Sequence, residues 1–151
     1  MEAVMIRIMK ESDYDQVYEL WQRIQGLGIR SIDDSKEYII RFVKRNPTTS
    51  FVAVENDSIV GTLLCGHDGR RGCFYHVCVE PPYRKRGLAT QMAEKALEAL
   101  KQEGINKVNL MAFIKNELGN QFWQEKGWHM RDDINLYEYN LNPNNITTFN
   151  Q

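Results

Sequence analysis

The sequence predicts an α/β (α+β) fold, a single mixed, mostly antiparallel sheet flanked by helices, in the order β-αα-βββ-α-β-α-ββ. Three observations predict it. Between Phe51 and Val79, β-forming runs are separated only by tight-turn residues, which sets neighbouring strands antiparallel. After Gly87 a long helical pattern leads into another alternating run, a strand–helix–strand crossover onto the same sheet. Finally, 151 residues without a repeat or linker is the usual size of one domain with a real core.

Val4 to Met9 is short, apolar and rich in β-formers, a first strand. Ser12 starts a helix, with Asp15 three residues on as a capping-box-like partner. Val17, Leu20, Trp21 and Ile24 follow at helical spacing, and Gly26 and Gly28 close the segment. A second helix spans 33–44, burying Ile39, Phe42 and Val43 until Asn46-Pro47 stops it. Phe51 to Glu55, a turn at Asn56-Asp57 and the return strand Ile59 to Gly66 make a hairpin. The glycine-rich turn Asp68 to Gly72 leads to a fourth strand, Cys73 to Val79, which ends at Pro81-Pro82 because proline cannot donate to a ladder.

The helix 87–102 places Ala89, Met92, Ala93, Ala96 and Leu100 on one side and exits at Glu103-Gly104. Val108, Leu110 and Ala112 alternate as a strand. A short helix, 116–126, buries Leu118 and Phe122 and stops at Gly127. Trp128 to Met130 and Tyr137 to Leu141, separated by Asp132-Asp133, are the final strands. Residues 1–141 therefore read as a single domain and 142–151, rich in Asn and Thr, as a C-terminal tail.

Composition narrows the function. Apolar residues make up 42% and charged residues 26%, ordinary for a soluble globular chain, and the net charge is −1. Nothing there points to nucleic acid or to a membrane surface as a partner. Cys65, Cys73 and Cys78 form no CxxC, stand near no histidine at zinc-ligand spacing and are odd in number, so neither a disulfide framework nor a metal site is expected. The N-terminal segment lacks the apolar core of a signal peptide, and no apolar run approaches the roughly 18 residues of a membrane span. The expectation is a cytoplasmic protein, monomer or homodimer.

Arg84 to Ala89 is the stretch with chemistry in it. It lies between a strand and a long helix, where four backbone N–H groups lack intrahelical partners and the macrodipole adds positive potential. Gly87 admits a ligand close to the backbone, Ala89 leaves the first turn uncrowded, and Arg84, Lys85 and Arg86 add three cations. The combination suits a pyrophosphate. The spacing is neither GxGxxG nor GxxxxGK[ST], so a nucleotide carried as coenzyme A fits better than NAD or ATP.

The segment Val77-Cys78-Val79-Glu80-Pro81-Pro82-Tyr83-Arg84-Lys85-Arg86-Gly87-Leu88-Ala89 resembles the acetyl-CoA motif of the GNAT-type N-acetyltransferases. Arg84, Gly87 and Ala89 match the family's Arg/Gln-x-x-Gly-x-Gly/Ala, and Val79, Pro81 and Tyr83 match a common Val-x-Pro-x-Tyr lead-in. Asn116, Gly119, Phe122, Trp123, Gly127 and Trp128 resemble the closing motif Asn-x-x-Ala-x-x-Phe-Tyr-x-x-x-Gly-Phe. The element order matches from about Ile6 to Leu141. The resemblance implies that Val77, Cys78 and Val79 bond the pantetheine arm through their backbone. It also implies that the backbone from Arg84 through Lys85, Arg86, Gly87 and Leu88 to Ala89 holds the pyrophosphate, and that Asn116 and Trp123 border the cofactor. An amine then attacks the thioester of acetyl-CoA directly, a backbone donor of the fourth strand stabilises the oxyanion, and CoA leaves as a thiolate. A rival expectation is a module that holds acyl-CoA as a sensor without efficient turnover.

Trp123 stands where many relatives carry a tyrosine that protonates the thiolate, and an indole N–H has no useful acidity. A thiol of pKa about 8.5 leaves as its anion at pH 7 for roughly 2 kcal/mol. A lysine amine is neutral about once in 2,500 molecules at pH 7, a penalty of roughly 4–5 kcal/mol, whereas an α-amino group pays about 1 kcal/mol. A base therefore matters more than the missing acid. His76 and Tyr75 on the fourth strand are the expected catalytic residues, with Glu80, His67 and Asp68 as further candidates. Arg70 and Arg71 read as a plain turn or as a lip for an anionic acceptor group, and Trp21, Tyr18 and Arg30 as cleft or core residues. The acceptor is an amine on a small molecule, peptide or protein.

Overall fold

The computed structural model describes residues 3–151; Met1 and Glu2, part of the N-terminal segment expected to lack a leader, lie outside the described residues. Apolar stretches of alternating or continuous character become five strands of one sheet, β1 (Met5–Ile8), β3 (Phe51–Glu55), β4 (Ser58–His67), β5 (Gly72–Val79) and β6 (Val108–Leu110), in that spatial order. A two-stranded ribbon joins β2 (Gly28–Arg30) to β7 (Thr147–Phe149). All pairings are antiparallel except β5 with β6, which the crossover through α3 (Leu88–Gln102) makes parallel.

β4 is buried from Ile59 through Gly66 because both of its faces are covered, which is why it reads as a continuous apolar run. On one face α1 (Tyr14–Arg23) and α2 (Lys36–Arg45) bring Val17, Leu20, Trp21, Ile39 and Val43 onto Val52, Leu64 and Cys78. On the other, α3 brings Leu88, Met92, Ala96 and Leu100 onto Ala53, Leu63, Cys65 and Phe74, with Trp123 of α4 (Glu117–Glu125) at the margin. Asn56 and Asp57 both have positive φ, 48° and 64°, so the β3–β4 hairpin takes the turn whose twist matches its strands. Among the described residues no helix is long and apolar enough to cross a membrane.

Five expectations need correction. Leu118, expected to be buried by the last short helix, stands 68% exposed. The capping carboxylate before α1 belongs to Asp13, not Asp15: Asp13 accepts from the Lys10 N–H at 2.7 Å and from Arg7 at 2.8 and 2.9 Å. Burial works to raise the Asp13 carboxyl, and these hydrogen bonds outweigh it, holding the group below the usual carboxylate range. The second helix begins at Lys36, leaving Asp33 and Asp34 in the preceding turn.

Trp128 to Met130 and Tyr137 to Leu141 are not strands. Alternation makes a strand only where a partner offers its ladder, and Tyr137, Tyr139 and Leu141 stand 87–91% exposed.

The presumed tail, conversely, carries β7, and its asparagines act as caps. The Asn150 amide donates to the carbonyls of Trp21 and Ile24 at the end of α1, both at 2.8 Å. Asn145 Oδ1 accepts from the N–H groups of Ile32 and Asp33. An Asn/Thr-rich composition reads as loop because these side chains imitate the backbone, and here they do so across more than 100 residues of sequence.

Candidate active site

β5 and β6 pair only from Gly72 to Phe74 against Val108 to Leu110 and then separate. The gap opens a cavity of about 420 Å³ lined from both faces of the sheet. Val77, Leu110 and Trp123, which pack with the α3-side core, border it together with Arg30, Asp34, Phe42, Tyr75 and His76, and Asn116 borders it from beside Gly26. Of the expected site residues, Tyr75, His76, Val77, Asn116 and Trp123 thus meet at one opening.

The strand bends at this point. The β4–β5 register shifts between Thr62 and Leu64, and His76 has φ +46°, a conformation uncommon for a residue with a Cβ. A buried polar chain holds the bend: Trp21 Nε1 donates to Thr62 Oγ1 at 2.9 Å, and that hydroxyl donates to the His76 carbonyl at 2.7 Å. The Trp21 indole also lies against the imidazole, with ring centroids 4.5 Å apart. Trp21 is therefore a core residue that shapes the site from beneath, whereas Tyr18 stacks on Tyr14 and borders a second, smaller cavity.

Sequence reasoning missed Asp34. Its Oδ1 is 2.8 Å from His76 Nε2, the two side chains only 6% and 8% exposed, and its Oδ2 accepts from the Arg30 N–H at 2.7 Å. The Tyr14 hydroxyl donates to the Asp34 carbonyl at 2.6 Å, and burial pushes that phenol up to about 12, so it stays a neutral donor. In the sequence Asp33-Asp34 looked like an ordinary helix start; only the tertiary fold brings the second carboxylate to a histidine 42 residues away.

Tyr75 stands beside His76, its ring edge-on to Phe42 at 5.9 Å, and burial raises its hydroxyl well above the usual phenol value. Glu80 instead pairs with Arg23 at 3.1 Å. His67 and Asp68 stay in the hairpin, where Asp68 Oδ1 accepts from the N–H groups of Arg70 and Arg71, both at 2.8 Å. Glu80, His67, Asp68, Arg70 and Arg71 all lie outside the cavity lining, and the hairpin is a side-chain-capped turn.

Beyond the open end of β5 the chain makes a 3-10 turn, Pro81–Tyr83, and enters α3. Arg84 Nε donates to the Val79 carbonyl at 2.8 Å, and the Tyr83 hydroxyl donates to Glu55 at 2.8 Å. Arg86 lies over the Tyr83 ring, 5.2 Å from its centroid. Lys85 and Gly87 take positive φ, 62° and 76°, and no side chain caps the helix start. Leu88 seals the core beneath, while Arg84, Lys85, Arg86 and Gly87 are exposed. Cys78 is a buried packing residue whose thiol burial pushes up to about 11, its sulfur 3.4 Å from Thr62 Oγ1.

Asn116 caps α4, its Oδ1 accepting from the Gly119 N–H at 3.0 Å. Trp123 is locked in an aromatic cluster with Phe74 at 6.0 Å, Trp128 at 5.0 Å and Phe122 at 4.9 Å. The far wall depends on Gly28: a Cβ there would overlap the Phe113 ring, which itself packs edge-on against Phe149 of β7 at 4.9 Å. Among the described residues no cluster of three or more His, Cys, Asp or Glu is arranged to hold a metal ion.

The sequence and the fold have counterparts among known proteins. An acetyltransferase of Sodalis glossinidius is 30% identical over 131 residues, 87% of this chain and 91% of its own. The fold overlays, at TM-score 0.74 and 16% identity, on the PaiA N-acetyltransferase of Thermoplasma acidophilum solved with coenzyme A, covering 87% and 93% of the two chains. It overlays at 0.72 and 20% identity on a Clostridium acetobutylicum protein described as a predicted acetyltransferase, solved with acetyl-CoA, covering 92% and 97%. None of this supports the rival expectation of a sensor without turnover. The model of the acetyltransferase (GNAT) family matches residues 14–128, and the chain belongs to the GNAT family of acetyltransferases.

Proposed function

We propose that the protein is a single-domain N-acetyltransferase that moves an acetyl group from acetyl-CoA to a primary amine by direct attack. The observation that carries this reading is the cavity beside the free edge of β5, lined by residues of both cores, where two reactants are proposed to meet at one point of the strand. The residues present fit acetyl-CoA. The first-turn N–H groups of α3, uncapped by any side chain and flanked by Arg84, Lys85 and Arg86, suit its pyrophosphate. Beyond its pairing with β6, the edge of β5 from Val77 to Val79 offers backbone groups to the pantetheine, apart from the Val79 carbonyl that Arg84 Nε occupies, and Asn116 and Trp123 border that path.

When bound, acetyl-CoA supplies the activated acyl group; this chain supplies position and proton management. On the opposite face the amine enters beside Tyr75 and His76. A lysine-like amine pays roughly 4–5 kcal/mol to shed its ammonium proton at pH 7. His76 takes that proton as the lone pair is exposed, and the second proton, shed by the nitrogen as the tetrahedral intermediate collapses, passes to solvent. Tyr75, kept neutral by burial, orders the amine or an intervening water. A backbone N–H of β5 near the bend is the proposed oxyanion donor. Trp123 packs and supplies no proton, so the departing thiolate takes one from water.

Thiol release with acetyl-CoA and a panel of amines (free N-terminal peptides, lysine, amino acids, polyamines, aminoglycosides) tests the proposal. Free CoA above background, with one acetyl mass added to an acceptor nitrogen, is expected. Binding of acetyl-CoA with no turnover on any of these classes overturns it.

A further inference from the structure

Resting on the reading of His76 as the base, we propose that Asp34 is a positioning residue that fixes which ring nitrogen does the work, leaving Nδ1 as the proton acceptor. The assignment follows from the hydrogen-bond directions. Asp34 accepts the Arg30 N–H on Oδ2 while Oδ1 faces His76 Nε2, so a carboxylate with no proton to offer meets that nitrogen. Nε2 must then carry the hydrogen, and in a neutral imidazole Nδ1 keeps the lone pair.

Nδ1 has no protein partner among the described residues, and no sealed side-chain nitrogen or oxygen goes unpaired there. Nδ1 is therefore open to the cavity that His76 lines. The ring cannot turn freely to exchange its nitrogens. Trp21 lies against it at 4.5 Å, the backbone beneath it is held at φ +46° by Thr62, and Asp34 is itself held by the Arg30 N–H and by Tyr14. Once Nδ1 has taken a proton, the imidazolium stands 2.8 Å from a buried carboxylate, which stabilises the charge at the moment it forms. The other charged or titratable groups at this cavity are Arg30, Asp33, Tyr38, Tyr75 and Glu138.

Asp34→Asn discriminates, because the asparagine oxygen keeps the Arg30 N–H while its amide donates to Nε2. That hydrogen bond demands the opposite tautomer, with the hydrogen on Nδ1 and the base lost. The experiment combines ¹⁵N NMR of the imidazoles, the His76 signal identified by its absence in His76→Ala, with steady-state kinetics on an acceptor found in the thiol-release panel.

The expected result is an Nε2–H tautomer for His76 in the wild type at pH 7.5 and an Nδ1–H tautomer in Asp34→Asn. The variant's kcat falls about 10- to 100-fold while KM for acetyl-CoA stays within about twofold. A wild-type ring protonated on Nδ1, or on both nitrogens, overturns the inference without any variant. Full kcat in Asp34→Asn beside a crippled His76→Ala overturns it while sparing the base assignment. An unaffected His76→Ala removes both.

Discussion

The loop proposed to hold the pyrophosphate and the wall proposed to receive the acceptor sit at two places along the same strand and are built on opposite principles. The loop is continuous, from Pro81 to the first turn of α3, and its chemistry resides in backbone N–H groups at a helix start. The acceptor wall draws on Arg30 and Asp34 before α2, Phe42 within it, Tyr75 and His76 on β5 and Glu138 near the C-terminus. Its chemistry resides in side chains. A backbone site needs only local conformation, so one short stretch specifies it. A side-chain site needs tertiary packing, and its members can be far apart in sequence.

The largest effect is expected where a side chain has no substitute. His76→Ala should lower kcat/KM about 10²- to 10³-fold on a lysine-type acceptor. Much less should be lost on an α-amino acceptor, which needs only about 1 kcal/mol to be neutral at pH 7. Acetyl-CoA affinity should stay within about twofold. Isothermal titration beside steady-state kinetics checks the pair, and a matching loss of acetyl-CoA affinity would erase the division between the two regions.

On the other side of that division, Gly87→Val should act on acetyl-CoA alone. Gly87 has φ +76°, and a branched residue there costs about 1–3 kcal/mol of backbone strain. Space is not the obstacle, since only Gln91 Nε2 comes within 4 Å of a built Cβ, at 3.7 Å. The loop should escape by changing conformation and lose its aligned N–H groups. KM for acetyl-CoA is expected to rise about tenfold or more, with acceptor KM unchanged. An unchanged KM would mean that the pyrophosphate is held elsewhere.

A third substitution tests how far the acceptor wall depends on the C-terminal ribbon. Gly28→Ala pushes a methyl into the Phe113 ring and should cost about 1–3 kcal/mol, lowering Tm by roughly 3–10 °C. Acceptor KM should rise with it, because β2, Phe113 and β7 move together. A variant that loses stability but keeps acceptor KM would detach the ribbon from the site.

The same division explains what could be read in advance. Strands β3 to β5, the crossover helix α3, the loop from Arg84 to Ala89 and the candidate His76 were legible because period, turn residues and helix starts are local. Asp34 was not, since nothing distinguishes it from Asp33 until the turn before α2 folds against β5. The C-terminal residues were misread for a related reason: Asn145 and Asn150 satisfy backbone groups of the α1–α2 connection, contacts of 112 to 129 residues' separation that no local pattern encodes. Trp123 is an intermediate case. Its position was readable, and its packing among Phe74, Phe122 and Trp128 supplies the reason it is a tryptophan.

The smallest effect is expected at Trp123, and its smallness is informative. Trp123→Tyr places a phenol at the position where many GNAT relatives have one. If the departing thiolate needed an acid, kcat should rise tenfold or more. A thiol of pKa about 8.5, however, departs as its anion at pH 7 for only roughly 2 kcal/mol, and water protonates it afterwards. The amine's proton is different, because nitrogen cannot attack while it holds it. On the proposed mechanism the proton demand therefore falls on the His76 side of the sheet, and the proposed cofactor side can fill its aromatic cluster with an indole. Trp123→Tyr should change kcat by less than about threefold while its lost ring contacts cost about 1 kcal/mol of stability, read as a fall in Tm. A tenfold gain in kcat, abolished at pH values above the thiol's pKa, would show instead that departure limits the rate and that the two sides share the proton work.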